Sequence, residues 1–349
     1  IDMSGKTVLP GMIDTHVHLA FDGSADPVGA LLSENDHITL IKMVNNCHKQ
    51  LRCGVTTVRD MGGPRELILA LRESWRKNIL IGPRILASGE VITSKGGHCH
   101  FIGHEVSCQK TANQAVMDEI NAGVDQLKIM VTGGSLTPGS SVHITQFTKE
   151  EIETIVQKAH QHNIKVAAHA NAIEGVRNAI NANVNSIEHA SFADDQSLEA
   201  MASAGIWLVP TMSPAEILLE SEHITEQRRN DVKFNWNSRR KVVESAINMG
   251  LKMASGTDAG TTYVPHGCIT KEINLFHKLG MNPMAAIWTA TSWAADLLGI
   301  SDEVGSLTEG KVADLIAVNG NPVKDLRLLE NPELVVVAGY IIRNCFTFL

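Results

Sequence analysis

Eight short runs rich in aliphatic and β-branched residues alternate with amphipathic segments along this chain, and that alternation constrains the fold more than any other feature. The runs cover residues 7–18, 54–60, 84–92, 126–132, 165–170, 186–191, 207–212 and 252–256. Helix-like segments lie between them, over 34–52, 64–78, 111–122, 148–162, 172–182 and 194–204. Thr148, followed three residues later by Glu151, forms a capping box ahead of an apolar-periodic stretch. Strands that alternate with helices are parallel and joined by right-handed crossovers. Eight such units predict an α/β chain folded as a (β/α)8 TIM barrel over residues 1–304. The long tract 214–250 carries interleaved positive and negative residues (RRNDVKFNWNSRRK) and reads as a solvated outer helix face. From Gly305 the pattern changes to short strands and turns, with a hairpin centred on Gly339. Residues 305–349 are therefore expected to form the carboxyl-terminal part of a small β-sandwich satellite.

Composition excludes several classes. Of 349 residues, 44% are hydrophobic and 19% charged, enough apolar material for a large core and too much for disorder. Thirty basic against 38 acidic residues give a net charge of −8 without a basic tract, which argues against nucleic acid as a partner. The six cysteines (47, 53, 99, 108, 268 and 345) show no C-x-x-C spacing, so neither a zinc knuckle nor a disulfide framework is indicated. No apolar run approaches the ~18 residues a membrane span requires. The expectation is a cytoplasmic protein acting on a small molecule, with no membrane partner, and assembling as a homo-oligomer. The chain opens at Ile1 in mid-domain, so its natural amino terminus, and with it the amino-terminal half of the satellite, is expected upstream.

In a barrel of this kind chemistry is built where the strands end at their carboxyl side. The first run ends in Asp14-Thr-His16-Val-His18, whose two histidines share a strand face. Lys128 lies within the fourth run, His169 near the end of the fifth, His189 near the end of the sixth and Asp258 just beyond the eighth. Taken singly, each has an ordinary explanation: a buried lysine pairs with a carboxylate, a strand histidine bonds within the core, and an aspartate caps a turn. Those explanations leave the shared position along the barrel unaccounted for, and a metal site accounts for it. Histidine, at 15 residues, equals Phe, Trp and Tyr together. It is the commonest metal ligand. His98 and His100 after the third run, His143 after the fourth, and Tyr263 and His266 after the eighth stand on loops that a substrate could reach. Arg59 is a candidate for a substrate carboxylate or for pairing with Asp60.

The segments PGMIDTHVH (10–18), GVTTVRDMGG (54–63), QLKIMVTGG (126–134), VAAHA (166–170), SIEHA (186–190), ASGTDAG (254–260) and GSLTEGKVADLIAV (305–318) resemble the amidohydrolase superfamily. The resemblance is to its binuclear branch, related to imidazolonepropionases and to prolidase-like Xaa-Pro and Xaa-Arg dipeptidases. It implies that His16, His18 and Asp258 hold one metal and His169 and His189 a second, with Lys128, carboxylated by CO2, bridging the two. Nitrogen and oxygen donors without thiolates suit zinc, with manganese or cobalt as alternatives. The implied reaction is hydrolysis of an amide-type C–N bond, of a dipeptide or N-acyl amino acid, by a metal-bridging hydroxide, with Asp258 as the proton shuttle. His98, His100, His143, Tyr263 and His266 would face the substrate. A lactam-ring hydrolase, or a lactonase or phosphotriesterase, uses related metal sites and stays open. A non-enzymatic scaffold would require gaps in the ligand set, and the set is complete. Some relatives carry a tyrosine soon after the seventh strand, and PTMSPAEI at 210–217 has none.

Overall fold

The run expected as one strand over 7–18 is two strands in the computed structural model, which describes residues 3–344. Ile1, Asp2 and Cys345 lie outside the described residues. The break falls at Gly11, where a Cβ would stand 2.1 Å from Thr56 Oγ1; only glycine lets the chain pass. On either side are β1 (Lys6–Pro10) and β2 (Met12–Val17). There follow β3 (Val55–Asp60), β4 (Arg84–Ala87), β5 (Val91–Ser94), β6 (Gly103–Val106), β7 (Gln126–Met130), β8 (Lys165–Ala170), β9 (Ser186–His189), β10 (Trp207–Val209), β11 (Leu315–Asn319), β12 (Leu334–Val337) and β13 (Tyr340–Asn344).

The chain divides into two compact units, one of residues 1–59, 71–85 and 254–349, the other of 60–70 and 86–253. In the first, β1 pairs antiparallel with β11, which pairs with β12, which pairs with β13. Residues 6–10 thus belong to the satellite sheet rather than to the run that carries the histidines. Ala317, Leu334 and Val336 form its buried centre, with Met3 and Leu315 packed against them. β2 and β3, with β4 begun in this unit, make a separate three-stranded sheet.

The second unit is built on a parallel sheet in the order β10-β9-β8-β7-β5-β6. Every residue of β7 and β9 is buried, as expected of parallel strands covered on both faces. The register opposes Met130 to His169 and Ala170 to His189, so consecutive strands end nearly level. The helix Lys149–Gln161 begins with the expected box: Thr148 Oγ1 accepts from Glu151 N, and Glu151 Oε2 from Thr148 N.

Three further expectations change. The run 84–92 is split into β4 and β5, because Ser88 turns away to bond the Asp60 carbonyl through both its N–H and its hydroxyl. The run 252–256 is not a regular strand. Met253 makes a single bridge to Leu208, while Ser255 donates to the Thr289 carbonyl and accepts from Thr15 N. The tract 214–250 is two helices, Ser213–Glu220 and Glu226–Met249, the second capped by Thr225. Arg229 folds back to the carbonyls of Leu219 and Ser221, satisfying the open end of the first helix. No described helix is long and apolar enough to cross a membrane.

Candidate metal centre

In the first unit β2 delivers His16, and His18 follows one residue past its end. Both rings are buried, with centroids 5.5 Å apart. Each Nε2 lies 3.4 Å from Asp258 Oδ1, and one ligand atom from each of the three residues falls within 4.8 Å of the others. That spacing suits a divalent cation held by two imidazoles and a carboxylate.

The backbone is built to make this cluster. Asp258 N donates to the His16 carbonyl at 2.7 Å and His18 N to the Ala259 carbonyl at 2.9 Å, which locks the two segments together. Asp258 itself is left-handed, φ 55°, a conformation aspartate tolerates better than most residues. At Gly260, φ 97°, a Cβ would meet the His18 carbonyl at 2.4 Å. Beneath the cluster Asp14 is fully buried. Burial pushes its carboxyl up to about 7, against the pull of donors from Thr257 Oγ1, His16 N and Thr257 N.

In the second unit the parallel register sets Lys128, His169 and His189 on adjacent strands, all three buried. The rings of His169 and His189 are 4.5 Å apart. His189 Nδ1 is 2.7 Å from Thr211 Oγ1, and His169 Nε2 is 3.1 Å from the Gly133 carbonyl. A metal-ligating histidine typically bonds a protein group through one nitrogen and the metal through the other. These contacts would therefore assign Nε2 of His189 and Nδ1 of His169 to a cation. His189, Ala190 and Thr211 all have positive φ (71°, 50° and 47°), each costing about 1–3 kcal/mol.

The expected substrate residues divide. His98 is buried beside His169, ring centroids 4.8 Å apart, its Nδ1 3.1 Å from Thr137 Oγ1. His100 is exposed, with Nδ1 3.1 Å from the Gly97 carbonyl. His143 is exposed and stacks on Phe192, which in turn meets Phe234. Tyr263 is half-buried in a left-handed turn. His266 is buried, with Nε2 donating to the Phe21 carbonyl at 3.0 Å and Nδ1 3.4 Å from Gln50 Nε2, so both nitrogens face groups of the fold. Arg59 is buried, and its Nε donates to the Thr15 carbonyl.

Asp14, Asn171, Ser191, Thr211 and Arg239 stand behind the ligands and were not singled out from sequence. Asp14 was recoverable, because it shares the i, i+2, i+4 spacing of His16 and His18. A second group, Glu90, His104 and Glu119, also brings ligand atoms within 4.8 Å. There Arg65 Nη1 sits 2.9 Å from Glu119 Oε1 and supplies the positive charge itself.

His16, His18 and Asp258 in the first unit, and Lys128, His169 and His189 in the second, are residue types that metal-dependent hydrolases use as ligands. The chain belongs to the amidohydrolase family, whose profile matches residues 7–342. It is 34% identical to a Xaa-Pro dipeptidase whose crystal structure has methionine bound in the active site, with a TM-score of 0.90 over 98% of this chain and 88% of that one. A prolidase complexed with N-methylphosphonate-L-proline is 27% identical, with a TM-score of 0.88 over 99% and 88%. Ochratoxinase of Aspergillus niger is 28% identical over 94% of this chain and 73% of its own. The fold is accordingly the (β/α)8 barrel with a small β satellite.

Proposed function

We propose that this protein is a binuclear metal-dependent amidohydrolase that cleaves the C–N bond of a dipeptide or N-acyl amino acid. The observation that carries the reading is the convergence of His16, His18 and Asp258 ligand atoms within 4.8 Å, on backbone constrained to bring them there. Relatives with dipeptidase and prolidase activity support the substrate class. The reading gives His16, His18 and Asp258 to one cation, His169 and His189 to a second, and carboxylated Lys128 to both. Lys128 is buried within its strand, and it is the neutral form of a lysine amine that takes up CO2 to give a carbamate.

Two zinc ions, or manganese or cobalt in their place, would supply an acidified water and polarise the scissile carbonyl. The protein's own groups do the rest. The Asp258 carboxylate, whose side chain is 20% exposed, takes the proton of the attacking water and returns it to the leaving nitrogen. His98, wedged between Thr137 and Gly134, orients the substrate carbonyl. His143 and Tyr263, on the more accessible loops, contact its side chains.

The test is a screen of dipeptides, N-acyl amino acids, lactams and lactones with metal-replete protein, alongside metal analysis. Release of a free amino acid with two ions per chain is expected. Activity confined to lactams or esters, or one ion per chain, would overturn the reading.

A further inference from the structure

The helix Glu226–Met249 presents a mostly solvated face, but Arg239 turns inward from it. Its Nε and Nη2 donate to Ser191 Oγ at 3.0 and 2.8 Å, and Nη1 to the Thr211 carbonyl at 2.8 Å. From Ser191 the contacts continue to Asn171 Oδ1 at 2.6 Å, and the Asn171 side chain packs against the His169 ring, 3.0 Å from the Nε2 that donates to the Gly133 carbonyl. From Thr211 they continue through Oγ1 to His189 Nδ1. Because the two imidazoles lie ring against ring, the path closes on itself with Arg239 at the far side. The segment it encloses includes the three left-handed residues His189, Ala190 and Thr211.

We infer that Arg239 is a positioning residue for the His169–His189 half of the metal centre, a role that rests on the binuclear reading. Its planar fork spans the turns after β9 and β10, which a single ammonium group cannot do. Residues held at positive φ relax toward ordinary backbone when their restraint is removed. The relaxation would swing the His189 ring, which lies against that of His169, and loosen the packing of Asn171 on His169. The contacts of this path lead to His169 and His189 rather than to the His16, His18 and Asp258 cluster.

The experiment is zinc titration of metal-free protein against a competing chelator, for the native chain, Arg239→Lys, Arg239→Met and Ser191→Ala. Cobalt(II) absorption and circular dichroism are recorded in parallel. The native chain should take up two ions. Each Arg239 variant should keep one at native affinity and bind the other about 10–100-fold more weakly, with a correspondingly altered cobalt spectrum and a retained fold. Ser191→Ala should shift the same ion in the same direction. Native affinity for both ions in folded Arg239→Lys overturns the inference. So does a raised KM with unchanged metal binding, which would make Arg239 a ligand for the substrate carboxylate. If Arg239→Met does not fold, the lysine and Ser191 variants decide the matter. A native chain that binds fewer than two ions refutes the binuclear reading itself, and the inference with it; two ions in every variant at native affinity refute the inference alone.

Discussion

Acidification should destabilise this protein through His266, by an amount that its surroundings set. The ring is 6% exposed, and burial pulls it from the ordinary 6.5 down to about 4, with Lys49 and His18 opposing protonation further. The Phe21 carbonyl pulls the other way but accepts from either protonation state. Between pH 6.5 and 4 the unfolded chain therefore binds a proton that the folded chain refuses, so stability rises with pH across that window. The contribution is complete above 6.5 and lost as pH falls through about 4. The gap corresponds to about 3 kcal/mol. The measurement is urea unfolding of metal-free protein at several pH values, native against His266→Gln, since bound metal brings its own proton dependence. Glutamine can still donate to Phe21 but does not titrate. It should lose about 3 kcal/mol less than the native chain on acidification from pH 7 to 4. Parallel pH slopes for the two proteins would refute the reasoning, because they would mean that His266 titrates alike folded and unfolded.

Other substitutions probe separate links. Asp258→Asn should lower kcat by about 10²–10⁴-fold while leaving the melting temperature of the metal-free protein near native, because asparagine also accepts a left-handed backbone; steady-state kinetics and calorimetry check both halves. Gly11→Ala should destabilise the fold by about 1–3 kcal/mol, since its Cβ would fall 2.1 Å from Thr56 Oγ1, as read from denaturant midpoints. Thr148→Ala removes the cap of the helix Lys149–Gln161 and should cost about 1 kcal/mol by the same measurement, with metal content unchanged.

The candidate ligands stand out in the sequence because each sits at or near the end of a strand pattern, and strand period two fixes which residues share a face. His16 and His18 follow from that rule, and Lys128 stands out as a charge in a run that is otherwise apolar. The supports behind them were less legible for physical reasons. Arg239 belongs to a charge-rich helix in which Arg240 pairs with Glu244 on the exposed face, and nothing in composition distinguishes the arginine that turns inward. His266 resembles a loop histidine until Gln50, far away in sequence, is seen to approach it. Gly11 looked like one residue of a continuous strand, because the obstruction that requires glycine comes from Thr56 on another strand. The eighth run failed as a strand because the backbone of Ser255 is bonded to Thr15 and Thr289, partners that no local pattern announces.

The left-handed backbone at Asp258, and separately at His189, limits which residues could replace each of them. A designer wishing to alter metal preference would exchange one donor type for another, glutamate for aspartate or cysteine for histidine. Such an exchange changes reach and softness, but here it also asks the incoming residue to adopt a torsion that few side chains accept. Asparagine, aspartate, histidine and glycine adopt it at least cost, and other residues, as at Cys99, Ala190 and Thr211, do so only where their surroundings enforce it. At each of these positions the backbone thus narrows the choice of residue through torsion, independently of what the side chain could bind.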